Sequence, residues 1–245
     1  MSELDKAGYH VFEATEETRA WAGAAHKVAC DVTKDPAQRA LWLRHQNTWF
    51  VGVEALPNDP DGSISNVPLK GPWKDHIVSP THWHKAQISV VYEGYPKQDK
   101  NQSDANHRFR VNRAAAHVDG LLLEDGKRYL REPHAFILGI SLNETDAAPL
   151  KVWPGSHRIM GPALARALGL GPDLTEAYKA ARAEVFESIA PVDVALTFGQ
   201  SVLLDHHILH GMSPWEDGQT APIEGRMTAY FRPQFDDFSD WLPLF

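Results

Sequence analysis

The feature that most limits this chain is a series of short apolar segments, each of strand length and most closed by glycine or proline. Gln87–Tyr92 (QISVVY) ends before Gly94 and Pro96, and His134–Leu142 (HAFILGISL) is almost continuously apolar. Lys151–Trp153 stops at Pro154-Gly155, Val192–Phe198 and Ser201–His210 flank the turn Gly199-Gln200, and Gly225–Arg232 comes last. Phe109–His117 alternates less cleanly but carries no helix stop signal, so it is read as a further strand. Many short strands separated by turn residues predict a mainly-β barrel or sandwich.

Helices decorate that core. Residues 14–45 read as helical, with Asp35-Pro36 a good helix start because proline suits the first turn. Thr15 with Thr18 is a poor capping box, since the third helical position normally carries Glu or Gln. Residues 162–189 form a helical insertion: Leu174, Ala177, Tyr178, Ala181, Val185 and Phe186 repeat at helical spacing. It is placed to cover one mouth of the β core. Residues 55–80 are rich in Pro, Gly, Asn and Asp and read as a surface loop. A length of 245 residues suits one domain with such additions.

Charge and cysteine content narrow the function. A formal net charge of −8 gives no basic stripe for a nucleic acid. No apolar run approaches the ~20 residues that span a bilayer, and the first residues lack the basic-then-apolar layout of a signal peptide, so a cytoplasmic location is expected. A single cysteine, Cys30, excludes an intramolecular disulfide and a cysteine–metal cluster. With 13 histidines present, a transition-metal site in this chain has to use imidazole and carboxylate.

The chemistry centres on Arg113-Ala-Ala-Ala-His117-Val-Asp119-Gly120. On an extended chain residues i and i+2 share a face, so His117 and Asp119 can offer a nitrogen and an oxygen to one metal. About one His-x-Asp is expected by chance in a chain of this composition, so the pair gains weight only from its context. His210, followed by Gly211, is the best second histidine, and two histidines with one carboxylate leave positions open on iron(II). Arg226 and Thr228 lie on the last strand, 16 and 18 residues after His210, and share a face. A guanidinium fork with a hydroxyl is a receptor for a carboxylate.

The ordered set His-x-Asp, Pro154-Gly-Ser-His157, His210-Gly211 and Arg226-x-Thr228 resembles the phytanoyl-CoA dioxygenase-like family of iron(II)/2-oxoglutarate oxygenases, over roughly residues 80–232. Ala7–Phe12 (AGYHVF) looks like that family's first strand. The resemblance implies a double-stranded β-helix, or jelly roll, with iron at one mouth. It implies iron(II), 2-oxoglutarate and dioxygen as cofactor and cosubstrates, and a dioxygenase that hydroxylates a small organic molecule. His117, Asp119 and His210 carry over as metal ligands, Arg226 as the anchor of the distal carboxylate, Thr228 as its helper, and Gln87 as a cosubstrate contact. Halogenating relatives replace the ligand carboxylate with a small residue, so Asp119 favours hydroxylation. The turn Asp146–Pro149 and the sequence after Gly211 depart from the family pattern, and Ser213 receives no role. The alternative is a cupin-like metal-binding protein, an isomerase or sensor, which would need the histidines without Arg226 and Thr228.

Three further residues are candidates for the substrate. His206 shares a face with His210 by alternation, or is a packed core histidine, while His207 points the other way. Arg113 shares a face with His117 if the strand is regular, and would hold an anionic substrate group unless a rim carboxylate pairs with it. Trp153 walls the pocket or belongs to the core. His82-Trp-His84 has no nearby carboxylate and is not taken as a second metal site. The tail Phe235–Phe245, aromatic and acidic, is expected to pack across the core or a subunit partner.

Overall fold

The computed structural model describes residues 3–242, and the side chain of residue 3 lies outside that description. In chain order the elements are α1 (Glu3–Ala7), β1 (Tyr9–Phe12), α2 (Glu16–Lys34), α3 (Pro36–Trp42), β2 (Leu43–Arg44), β3 (Trp49–Gly52), β4 (Gln87–Val91), α4 (Asp104–Arg113), β5 (Leu121–Glu124), β6 (Lys127–Leu130), β7 (Phe136–Ser141), β8 (Leu150–Val152), α5 (His157–Leu168), α6 (Thr175–Ser188), β9 (Val192–Val194), β10 (Ser201–Asp205), β11 (His210–Met212) and β12 (Arg226–Phe231). The fold is mainly β, with antiparallel sheets and flanking helices. A seven-stranded sheet runs β1-β10-β7-β12-β4-β3-β2, a three-stranded sheet runs β11-β8-β9, and β5 with β6 forms a separate hairpin.

Alternation gives the large sheet two different faces. One face presents Ile88, Val90, Leu138, Ile140, Met227, Ala229 and Phe231 to the buried stripe Trp21, Ala22, Ala25 and Ala29 of α2. Each large side chain buried this way contributes about 1.5–3 kcal/mol, and the Trp21 ring nitrogen is satisfied by donating 2.8 Å to the carbonyl of Gly62. The opposite face sends Ile137, Val202, Leu204 and Tyr230 against Leu150, Val152 and Val194 of the small sheet. That second layer stops short of filling the space between the sheets, and the remaining gap is where polar residues of β4 and β12 point.

Helix starts follow local chemistry. Asp35 accepts from the amides of Ala37 (2.7 Å) and Gln38 (3.1 Å), with Pro36 in the first turn. Thr15 and Thr18 form a complete capping box after all: each hydroxyl accepts from the other's backbone amide, at 3.2 and 2.9 Å. A hydroxyl at the third helical position reaches back as a glutamate would.

Three strand expectations are corrected. Phe109–His117 is not a strand: residues 104–113 form α4, begun by Ser103, whose hydroxyl accepts from Asn106 N at 3.3 Å. Ser103 caps its start, and its cationic last turn, Arg110 and Arg113, suits a helix C-terminus. Ser201–His210 is two strands broken by a turn at 206–209, and Val192–Phe198 keeps only three strand residues. The hairpin β5–β6 was not foreseen, although its turn is the hairpin signal Asp125-Gly126, both at positive φ.

The insertion is two helices, α5 and α6, with Leu174, Tyr178, Ala181 and Val185 buried as their spacing predicted. They pack behind Trp153 and Leu209 in the same cluster, and none of their residues lines the main cavity. Trp241 of the tail is buried and packs on His206 and His207, at ring distances of 5.9 and 4.3 Å. The end of the tail, residues 243–245, lies outside the described residues.

Candidate metal centre

His117 and His210 face each other across an isolated antiparallel bridge: His117 N donates to His210 O at 2.8 Å, and His210 N to His117 O at 3.0 Å. Two glycines permit it. A Cβ on Gly211 would be driven into the Ala114 carbonyl, and one on Gly120, which sits at φ +80, into the Glu132 carbonyl. The chain reaches His117 through Ala114 and Ala115, both left-handed at φ 52 and 50, an unfavourable conformation for residues with a Cβ. Ser156, fully buried in Pro154-Gly-Ser-His157, accepts from Leu209 N at 2.8 Å and so fixes the backbone one residue before His210.

Asp119 brings its carboxylate to both histidines. His117 Nε2 lies 3.0 Å from Oδ1 and His210 Nε2 lies 3.8 Å from Oδ2. One donor atom from each residue falls within 4.8 Å of the others. His117 Nδ1 is 3.0 Å from Ala115 O, and His210 Nδ1 is 3.1 Å from Ile208 O. A carbonyl only accepts, so each Nδ1 carries the proton and each Nε2 turns a lone pair toward the carboxylate. Burial pushes the His210 imidazole down to about 4, against the pull of Asp119, which keeps it in the neutral, ligating form. Burial alone would raise the Asp119 carboxyl; the Arg232 guanidinium, which donates to it, is foremost in opposing this, and the carboxyl is held well below the ordinary carboxylate range. The donor set, its tautomers and its charge fit a divalent transition metal.

Arg232 is a site residue that the sequence reading overlooked. Its Nε donates to Asp119 Oδ2 at 2.6 Å and its Nη1 to Gln87 Oε1 at 2.8 Å. The alternation that put Arg226 and Thr228 on one face extends to Tyr230 and Arg232, so the signal was present. Gln87 thus has its oxygen committed to Arg232. His84 accepts from Arg232 N at 2.9 Å, so the His82–His84 pair does not make a second site.

Arg226 is buried, and its nearest polar contact is Met212 Sδ at 3.8 Å. Among the described residues no carboxylate pairs with it. The Thr228 hydroxyl, two residues on, is buried and without a hydrogen-bond partner. A buried cation beside an unsatisfied hydroxyl is a receptor for an anion. Both belong to the face of β12 that borders a cavity of about 900 Å3, which His117, Asp119, His210, Gln87, Arg226 and Arg232 line.

No protein-family model matches the chain, and no curated protein is similar to it. Among solved structures it is similar to the non-heme alpha ketoglutarate dependent carbocyclase SnoK from nogalamycin biosynthesis, at 13% identity over 96% of this chain and 86% of that one, with a TM-score of 0.54. The chain shares the fold of SnoK. A second structure, EctD from S. alaskensis with bound Fe, aligns at 17% identity over 94% of this chain and 73% of that one, with a TM-score of 0.45.

Within this SnoK-like fold, the three substrate candidates lie away from the cavity. Arg113 ends α4, is exposed, and stacks over Phe186 at 4.7 Å; the helix removes the strand alternation that had aimed it at the metal side. Trp153 is buried in the cluster of α5 and α6. His206 sits in the turn that breaks the expected strand, between the carbonyls of Ala135 (3.1 Å) and Trp241 (3.2 Å). With both ring nitrogens so placed, the neighbouring group Asp205, His206 and His207 lacks a free imidazole pair for a metal, although its donor atoms are close. No helix of the described residues is long and apolar enough to cross a membrane.

Proposed function

We propose that this protein is an iron(II)- and 2-oxoglutarate-dependent dioxygenase with a double-stranded β-helix core, which hydroxylates a small organic substrate and releases succinate and carbon dioxide. The reading takes the described residues as one oxygenase domain. The observation that carries it is the pairing, in one cavity, of a two-histidine, one-carboxylate donor set with a buried arginine that has no anion of its own.

His117, Asp119 and His210 would hold the iron, and Arg226 with Thr228 would receive the distal carboxylate of 2-oxoglutarate. Iron(II) so held supplies the redox chemistry that couples cleavage of a 2-oxo acid by dioxygen to oxidation of a substrate C–H bond. The chain's own residues bind and orient. Arg232 steadies the Asp119 carboxylate through the oxygen that His117 leaves free, and Gln87 steadies Arg232. Arg226 would bind the distal carboxylate of the 2-oxo acid by a charge-assisted fork and so orient it. Tyr230, Leu204 and Ile137 supply apolar wall that limits water around the reacting atoms.

The test is anaerobic titration of the metal-free protein with iron(II) and then 2-oxoglutarate. A weak visible charge-transfer band that appears only when both are present is the expected result. Iron binding without that band, and without succinate on admitting dioxygen, would favour a cupin-like metal protein.

A further inference from the structure

The main cavity holds, on helix α4, a second guanidinium that pairs with no carboxylate among the described residues. Arg110 lies on α4, one turn before Ala114, and lines the same cavity as the three donors. Its Nη1 donates to the Tyr95 hydroxyl at 2.9 Å, and its guanidinium carbon sits 5.7 Å from the centre of the Trp49 ring. Its Nε is buried and has no hydrogen-bond partner among the described residues, and no carboxylate pairs with it there. Tyr95 is buried, which pushes its phenol up despite the pull of Arg110. It stays neutral and leaves the arginine's charge uncompensated. A long side chain pinned by a phenol and an indole has already lost the freedom that binding would otherwise cost.

Charge balance points the same way. On the reading above, iron(II), Asp119, 2-oxoglutarate and Arg226 sum to zero. Arg232 adds one positive charge and is already paired with Asp119; the nearby Glu132, 3.3 Å from His134, is exposed. The other acids that line the cavity, Glu54, Asp236 and Asp240, are exposed to solvent. Arg110 remains as surplus positive charge lining the cavity. A volume of about 900 Å3 is in the range that encloses a drug-sized ligand, about 300–1,000 Å3, and a five-carbon dicarboxylate leaves most of it free.

We propose that Arg110, backed by Tyr95 and flanked by Trp49, binds an anionic group of the substrate, a carboxylate or a phosphate. The inference rests on the oxygenase reading for the word substrate, but the anion site stands on the cavity itself. It moves the anion-binding role from Arg113, which is exposed outside the cavity, to a residue one helical turn earlier that faces it.

The test uses benzoate, phenyl phosphate and the neutral benzamide as probes, because the flanking walls are aromatic. Binding is read by calorimetry on the whole protein, both metal-free and loaded anaerobically with iron(II) and 2-oxoglutarate. The loaded wild type should bind at least one of the two anions at least tenfold more tightly than benzamide. Arg110→Gln should abolish that preference, Arg110→Lys should keep part of it, and Arg113→Gln should leave it intact. The affinity of Arg110→Gln for 2-oxoglutarate should stay within twofold. Wild type without preference for either anion, or Arg110→Gln with the preference retained, overturns the proposal. A tenfold loss of 2-oxoglutarate affinity in Arg110→Gln also overturns it, and assigns the residue to the cosubstrate. If the loaded complex does not form, the oxygenase reading fails, while Arg110-dependent anion binding by the metal-free protein still decides for or against the site.

Discussion

At the scale of single residues, the proposed centre divides into candidate ligands and groups that hold them. His117→Ala, Asp119→Ala and His210→Ala are each expected to abolish iron(II) binding while the circular dichroism spectrum is kept. His206→Ala should retain iron, because its ring is engaged with two carbonyls away from the cavity. Two arginines of β12 and its end should separate cleanly. Arg226→Ala removes the buried cation two residues before Thr228 and should raise the 2-oxoglutarate dissociation constant at least about tenfold, equivalent to about 1.4 kcal/mol, with iron affinity unchanged. Arg232→Gln frees Asp119 Oδ2 and should weaken iron binding about 10–100-fold, as loss of an outer-shell partner does. Equal effects of the two variants on both ligands would refute the division of roles.

At the scale of elements, the site depends on backbone fit between the α4–His117 linker and β11. Ser156 is fully buried and holds Leu209 N, so Ser156→Ala orphans a buried amide. The expected loss is about 1–3 kcal/mol of unfolding free energy, measurable by urea denaturation, with weaker iron affinity because the next residue is His210. An unchanged midpoint would show that Leu209 N finds another acceptor. The motif Pro154-Gly-Ser-His157 was legible as a motif, but its physical task was not. Its serine works through a hydrogen bond to a residue 53 positions away, which no local pattern reveals. The helix α4 was misread because absence of a stop signal was taken for strand, whereas Ser103-Asp104 is an ordinary helix start.

At the scale of the whole molecule, packing between segments distant in the chain buries histidines, His207 against Trp241 and His45 against Trp49 and Tyr95. Burial, then the charges of His206 and His157, holds the His207 imidazole well below 6.5. Burial lowers His210 and His45 to about 4. For such groups the unfolded chain takes up a proton below the ordinary histidine pKa of about 6.5 while the folded chain does not. Stability is therefore fully present above that pH and falls as pH drops below it. Each such group contributes about 1.4 kcal/mol per pH unit at most. His207→Gln should make the stability profile of the metal-free protein shallower below pH 6.5 by up to one proton's slope. An unaltered slope in urea titrations at pH 7 and 5.5 would show that His207 is charged in the folded state.

The sequence by itself determined the mainly-β class and the helical additions, and it singled out His117, Asp119 and His210 as candidate donors with Arg226 and Thr228 as candidate companions. Those features follow from short-range rules: period-two alternation, turn residues, and residue types that suit one chemistry. The tertiary structure decided which side chains share the cavity. Arg232 was brought to Asp119, Arg110 was turned inward and Arg113 outward, and Trp153 was given to the helical cluster. These outcomes depend on where α4 ends, on two left-handed alanines before His117, and on a turn that splits the strand at His206. Side-chain direction beyond one element is fixed by packing between elements distant in the chain, and that packing leaves no periodic trace in the sequence.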